Sequence, residues 1–234
     1  MIKVTIWNEN TGQDHPDVVK VNPGGIHKTL AAFLEKEEDF EVRTATLEDE
    51  ECGLTDDVIA DTDVLIWWGH CSHHAVPDAV ADRVAKAVNK GMGFIALHSS
   101  HLAKPFTRLM GTTCTLKWRD GDSERLWTIA PYHPIAEGVP ECIELESEEM
   151  YGERFDIPQP DELIFLGWFG GGEVFRSGCV WNRGYGRVFY FQPGHETNRS
   201  YSEPGIQKII INAVRYTDPK IRREIIDSPH VKSR

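Results

Sequence analysis

GFIALHSSHLAKPF (residues 93–106) is the stretch whose reading decides the fold. Gly93 to Leu97 form a short, unbroken apolar run with none of the alternation of a half-solvated strand. It therefore reads as a strand covered on both faces. The run stops at His98, Ser99, Ser100 and His101 and passes into a helical pattern that Pro105 makes short or kinked. A buried strand that runs straight into imidazoles and hydroxyls has two readings. These groups are caps and packed core histidines, or they are reactive groups carried to the rim of a sheet.

The flanking sequence supplies the sheet. IKVTIW (2–7) is β-branched and apolar, and a polar loop follows it. GGIHKTLAAFLEKE (24–37) places Ile26, Leu30, Phe33 and Leu34 on one helical face. FEVRTATL (40–47) alternates as a strand nearer an edge would, and DVLIWW (63–68) is another covered run. VPDAVADRVAKAVNKG (76–91) opens on Pro77 and Asp78, repeats Val80, Val84 and Val88, and closes on Gly91. Strands alternating with helices of this length predict a parallel sheet with right-handed crossovers. After residue 111 the texture changes to TCTLKW, RLWTIA, CIELES, ELIFLGWF, EVFRSGCVW and GRVFYFQ, strand-like runs broken by turn residues. They predict antiparallel additions beside or over the parallel core, and PGIQKIIINAVRYT (204–217) predicts a closing helix. The expectation is one α/β domain over 1–234, with its core in 2–217 and a polar tail over 218–234.

Charge and composition exclude several functions. A formal net charge of −12 repels nucleic-acid phosphates and anionic membranes, so neither is an expected partner. MIKVTIWNEN reads as a strand rather than a signal peptide, and no apolar run is long enough to span a bilayer. The five cysteines (Cys52, Cys71, Cys114, Cys142 and Cys179) are scattered and unpaired in pattern, which predicts reduced thiols and a cytoplasmic protein. Neither GxGxxG after the first strand nor a P-loop is present, so no nucleotide cofactor is expected.

Polar residues recur where apolar strands end. The first run leads into Asn8 and Glu9, and DVLIWW leads through Gly69 to His70, with His73 and His74 behind it. GFIAL leads to His98 and His101, and GRVFYFQP leads through Gly194 to His195 and Glu196. In an open parallel sheet, ligands bind outside the carboxyl ends of the strands. His98 and His195 are accordingly the expected catalytic pair, working as general acid and base. His98-x-x-His101 spans one helical turn, so both rings could reach one ion, with His70, His195 or a glutamate completing the set. The expected cofactor is thus a divalent metal, zinc first, held by His70, His98, His101 and His195. Glu149 and Tyr151, in SEEMYGERF, could cover a sugar-binding cleft, although such a charge run is ordinarily a solvated face. Trp68, one of seven tryptophans, is expected to face the site. Asn8, at the end of the first strand, joins Trp68, Glu149 and Tyr151 as an expected substrate contact. Ser99 and Ser100 read as helix caps, and His15 and His27 read as ordinary surface residues. Ala96 to Ser100 have the small-x-nucleophile-x-small spacing of a nucleophile elbow, with His98 at the centre.

DVLIWWGH, GFIALHSSH, YHPIAEGVP, SEEMYGERF and GRVFYFQPGHE, in this order, resemble the ThuA-like (trehalose-utilisation) family, over residues 2 to about 217. The resemblance implies a flavodoxin-like three-layer α/β/α sandwich, similar to class I glutamine amidotransferases, with inserted antiparallel strands. Amidotransferases of that fold carry cysteine at the elbow and His-x-Glu after a late strand. Here the elbow residue is His98, and His195 and Glu196 are adjacent, which argues against thiol-based glutamine hydrolysis. The resemblance further implies a role on trehalose-type or oxidised (keto) disaccharides, handled with a partner dehydrogenase. The small-molecule partner is therefore expected to be a sugar, acted on by an isomerase, lyase or hydrolase reaction. The competing expectation is a sugar-binding or interaction module without turnover. A homo-oligomer is open, since the aromatic-rich second half could cover a dimer face or only the core.

Overall fold

The apolar runs that read as covered strands occupy the middle of one sheet. The structure, a computed structural model, describes residues 1–12, 14–226 and 230–233. β1 (Ile2–Asn8) leads through α1 (Pro16–Val21) and α2 (Ile26–Leu34) to β2 (Phe40–Thr46). α3 (Asp56–Ala60) precedes β3 (Val64–Trp68), and α4 (Asp78–Lys90) joins β3 to β4 (Gly93–Leu97). A 3₁₀ turn over His98–Leu102 then runs into α5 (Lys104–Met110). β5 (Lys117–Thr128), β6 (Cys142–Gly152), β7 (Glu162–Phe169), β8 (Val174–Arg183) and β9 (Gly186–Phe191) follow, and α6 (Pro204–Thr217) closes the core.

The sheet has nine strands in the order β2-β1-β3-β4-β9-β8-β7-β5-β6. From β2 to β9 every pairing is parallel, which is the doubly wound order of flavodoxin-like folds, and from β9 to β6 every pairing is antiparallel. The antiparallel strands thus extend the same sheet rather than lying over it. Alternation along β3 explains why its run is wholly apolar. Trp68 and Ile66 join the layer under α2 and α6, while Trp67 and Leu65 join the layer under α4 and α5. Trp67 stacks on Trp7 of β1, with ring centroids 3.8 Å apart.

Three local readings change. The polar loop after β1 contains a short helix, α1, started by Pro16 at its first turn, where a missing N–H costs nothing. α5 is short, as expected, but Pro105 sits in its first turn and starts the helix instead of kinking it. The last two residues of TCTLKW and the first four of RLWTIA are opposite ends of one strand, β5, whose pairing with β6 shifts register around Asp122. In the tail, Arg222 pairs with Asp63 and the Arg223 amide donates to the Lys90 carbonyl; residues 227–229 and 234 of the predicted tail lie outside the described residues. Among the described residues, no helix is long and apolar enough to cross a membrane.

Candidate functional site

β4 ends at Leu97, and His98 takes a left-handed backbone conformation, φ 54°, at the strand-to-helix turn. A non-glycine residue there is uncommon and marks an elbow, the geometry that turns a side chain sharply off a strand. His98 is fully buried. Its Nδ1 donates to the Gln192 carbonyl at 2.9 Å, since a carbonyl can only accept, and its Nε2 lies 3.0 Å from Glu149 Oε2. That last contact is close without being an aligned hydrogen bond, so Oε2 remains a buried acceptor with no directed donor. Burial alone would lower the His98 pKa. The Glu149 carboxylate, helped by Glu148 and the Gln192 carbonyl, more than offsets this and holds the ring above its ordinary value. Burial would likewise raise Glu149, but His98, His195 and His70 draw it below the usual carboxylate range. Both directions describe one buried ion pair, His98⁺ with Glu149⁻.

Two further rings complete the cluster. His70 and His98 have centroids 5.9 Å apart, His70 and His195 5.2 Å, and His98 and His195 5.4 Å. His70 Nδ1 is 2.8 Å from Glu196 Oε1. Burial opposes ionisation of Glu196, yet His70 and His195 bring its pKa down to about 2. His195 Nδ1 is 2.9 Å from Thr197 Oγ1. Burial, reinforced by the charge on His98, lowers the His195 pKa and keeps that ring neutral. The site thus sets an imidazole that holds its proton more tightly than usual beside one that holds it less tightly, a pairing suited to proton transfer.

A pocket of about 310 Å³ opens beside this cluster, with His70, Glu149, Tyr151, His101 and Trp118 among its walls. Tyr151 stacks on His98, centroids 5.1 Å apart, and its hydroxyl lies 3.4 Å from His98 Nε2. Trp118 pairs across the strands with Tyr151 and is 62% exposed, which leaves an aromatic face open to a ligand. The larger groove between α3, α4 and the tail carries Arg83 and Arg222, but these are paired with Glu51, Asp56 and Asp63.

Several expected roles change. Trp68 is 1% exposed and donates its indole N–H to the Gly194 carbonyl, so it packs beneath the site and offers no face to substrate. Asn8 is fully buried, bonded to His27 Nδ1 and to the Asn10 amide, and holds the loop after β1. His27 is correspondingly buried rather than superficial. His101 gives Nδ1 to the Cys114 carbonyl and packs edge-on against Tyr151, Phe155 and Tyr190. It touches the pocket wall but lies outside the close donor cluster, and so does His98; among the described residues that cluster is His70, Glu149 and His195. Ser99 and Ser100 cap no helix: their hydroxyls donate to the Gly69 and Trp67 carbonyls and lock the His70 loop to the elbow. His133 is a local cap, accepting from the Ile135 amide, and His74 is exposed.

Three positioning residues escape the sequence reading. Glu9 accepts from the Cys71 and Ser72 amides and fixes the His70 loop. Gln192 ties β9 to the elbow through its carbonyl and to β6 through its side chain, which donates to the Glu149 carbonyl. Glu148, fully buried, accepts from the Gly194 and His195 amides and from Asn198 and Ser200. Glu9 and Gln192 sit at strand ends beside the expected site, a signal that was available. Glu148 hides in a charge run that ordinarily faces water.

Comparison with known proteins places this architecture. The family model for ThuA, described as trehalose utilisation, matches residues 3–217. A ThuA-like protein from Parabacteroides merdae superposes with a TM-score of 0.70 at 15% identity, covering 95% of this chain and 92% of its own. A cytoplasmic protein from Salmonella typhimurium gives 0.64 at 11% identity, covering 94% and 100%. A GMP synthase component from Thermoplasma acidophilum gives 0.51 at 10% identity, covering 92% and 93%. The fold is therefore that of class I glutamine amidotransferases, with histidine at the elbow. No curated protein matches the sequence.

Proposed function

Because the chain belongs to the ThuA family, we propose that it acts on a sugar or keto-sugar derivative of the trehalose type, in the pocket between the histidine cluster and Trp118. The observation that carries this reading is the buried His98–Glu149 ion pair, with a neutral His195 ring 5.4 Å from His98. On a keto-sugar, the proton shared by His98 and Glu149 is given to the keto oxygen through Glu149, which lines the pocket, while His195 accepts the proton from the neighbouring carbon. The proton count closes, and the resulting enediol is the common point from which isomerisation or loss of a glycosidic oxygen proceeds. Trp118, 62% exposed at the pocket wall, supplies an apolar face suited to the flat side of a sugar ring. A thiol route is disfavoured because the elbow residue is His98, while Cys71 and Cys114 sit at no elbow and burial raises the pKa of both thiols.

The test is incubation with trehalose and with keto-trehalose, followed by NMR, for the wild type and for His98→Asn. Asparagine tolerates the left-handed elbow, so the backbone is spared. Product is expected from the keto-sugar, and the variant should slow its formation by at least about 100-fold. Ligand-induced shifts without product would identify a binding module instead, and neither shifts nor product would overturn the sugar reading.

A further inference from the structure

We propose that His70, Glu149 and His195 form a binding site for one divalent transition-metal ion. One donor atom from each residue lies within 4.8 Å of the others. Tetrahedral zinc bonded to nitrogen and oxygen at about 2.0–2.2 Å sets its donors about 3.3 Å apart, so side-chain rotations close the remaining distance. The inference is separate from the sugar reading and competes with it: with an ion bound, Glu149 and His195 are ligands and do not move the protons of that reading.

Two independent features point to an ion rather than to a chance grouping. Glu149 is 5% exposed, and its Oε2 is a buried acceptor without an aligned donor. His98 Nε2 lies 3.0 Å from this oxygen but out of line, so the carboxylate keeps acceptor capacity for an ion. The second feature is how the two rings are held. His70 Nδ1 is engaged by Glu196 Oε1 at 2.8 Å, which leaves Nε2 as its donor. His195 Nδ1 faces the Thr197 hydroxyl at 2.9 Å and the Thr197 amide at 3.3 Å, and Nε2 takes an ion in the tautomer whose Nδ1–H donates to that hydroxyl. A carboxylate or hydroxyl on the far nitrogen is how proteins orient metal-binding imidazoles. The donor set, two imidazoles and one carboxylate, suits zinc, iron or cobalt far better than magnesium or calcium. His70 and Glu149 also line the pocket, so the coordination positions left over would face a ligand there. His98 remains outside the set, its Nδ1 committed to Gln192 and its Nε2 to Glu149.

The test uses tag-free protein stripped with chelator, titrated with Zn²⁺ by calorimetry and with Co²⁺ by visible absorption. One equivalent of each should bind, with Co²⁺ developing d–d bands, and Mg²⁺ should not compete. His70→Ala, His195→Ala and Glu149→Gln should each weaken binding at least about 100-fold, and Glu196→Gln by about 10–100-fold. His101→Phe should bind as the wild type does. Circular dichroism confirms that each variant is folded, and Glu196→Gln, which keeps all three donors, provides a readout should a ligand variant unfold. Absence of saturable binding to the wild type, or binding unchanged in folded His70→Ala, overturns the site. Metal binding without keto-sugar turnover would remove only the sugar reading. Turnover without metal binding would remove only this site.

Discussion

His101 shows how burial decides what an imidazole can do. Desolvation lowers its pKa to about 3, and the hydrogen bond to the Cys114 carbonyl only partly opposes this. In the unfolded chain the same ring titrates near 6.5. Below that pH the unfolded state binds a proton that the folded state refuses, so this residue's share of stability is intact above about pH 6.5 and is lost as the pH falls toward 3. His101→Phe should therefore flatten the pH dependence of Tm between about 6.5 and 4. The lost hydrogen bond should cost about 1 kcal/mol at pH 7.5. Thermal unfolding across that range checks both effects; an unchanged acid slope would mean that His101 titrates normally. His98, one helical turn away, is equally buried but faces Glu149, and its pKa moves the other way. The HxxH spacing thus predicts proximity without predicting role: the partner of each nitrogen decides, and partners come from distant segments.

At the level of elements, β6 carries most of what the sequence hides. It is the edge strand of the sheet, and its first half alternates in exposure, yet Glu148 to Gly152 are buried without a break. The register shifts in β5 around Asp122 accompany this change, and they set Trp118 opposite Tyr151. Glu148 then gathers the amides of Gly194 and His195. Glu148→Gln replaces an acceptor with a donor facing these N–H groups and should cost about 1–3 kcal/mol. Amide exchange should quicken over 194–200, with β3 and β4 little changed. Uniform protection in the variant would show that the loop holds itself. Strands whose apolar run was plain, β3 and β4, coincide with the sequence reading because their environment is uniform along their length. The charged half of β6 was illegible because its burial comes from contacts with His98, Gln192 and the 194–200 segment, distant in sequence, which leave no local period.

Across the molecule, the sheet divides the core into two apolar layers that share every central strand. Leu30, in the layer under α2, and Leu65, in the layer under α4, are both fully buried. Leu30→Ala and Leu65→Ala should each destabilise by about 2–5 kcal/mol. Both should shift one common unfolding transition, followed by fluorescence and by circular dichroism in denaturant. Separate transitions would mean that the layers fold independently. The acidic charge acts at the same scale: at −12 it disfavours polyanions and leaves small neutral ligands as the natural occupants of the pocket. The α/β order, the closing helix and the rim of histidines were legible because each rests on periodicity or on strand-end position.

The ladder pairings of β3 and β4 stop at Trp68 and Leu97, and those of β9 at Phe191. His70, His98 and His195 all lie beyond these last pairs. The three histidines are therefore carried on short segments that the scaffold does not need for its registers, while Glu149 and Tyr151 come from within β6. Segments 69–74, 98–101 and 193–198 can be exchanged as cassettes, and libraries built on them would search new reactions on an unchanged frame.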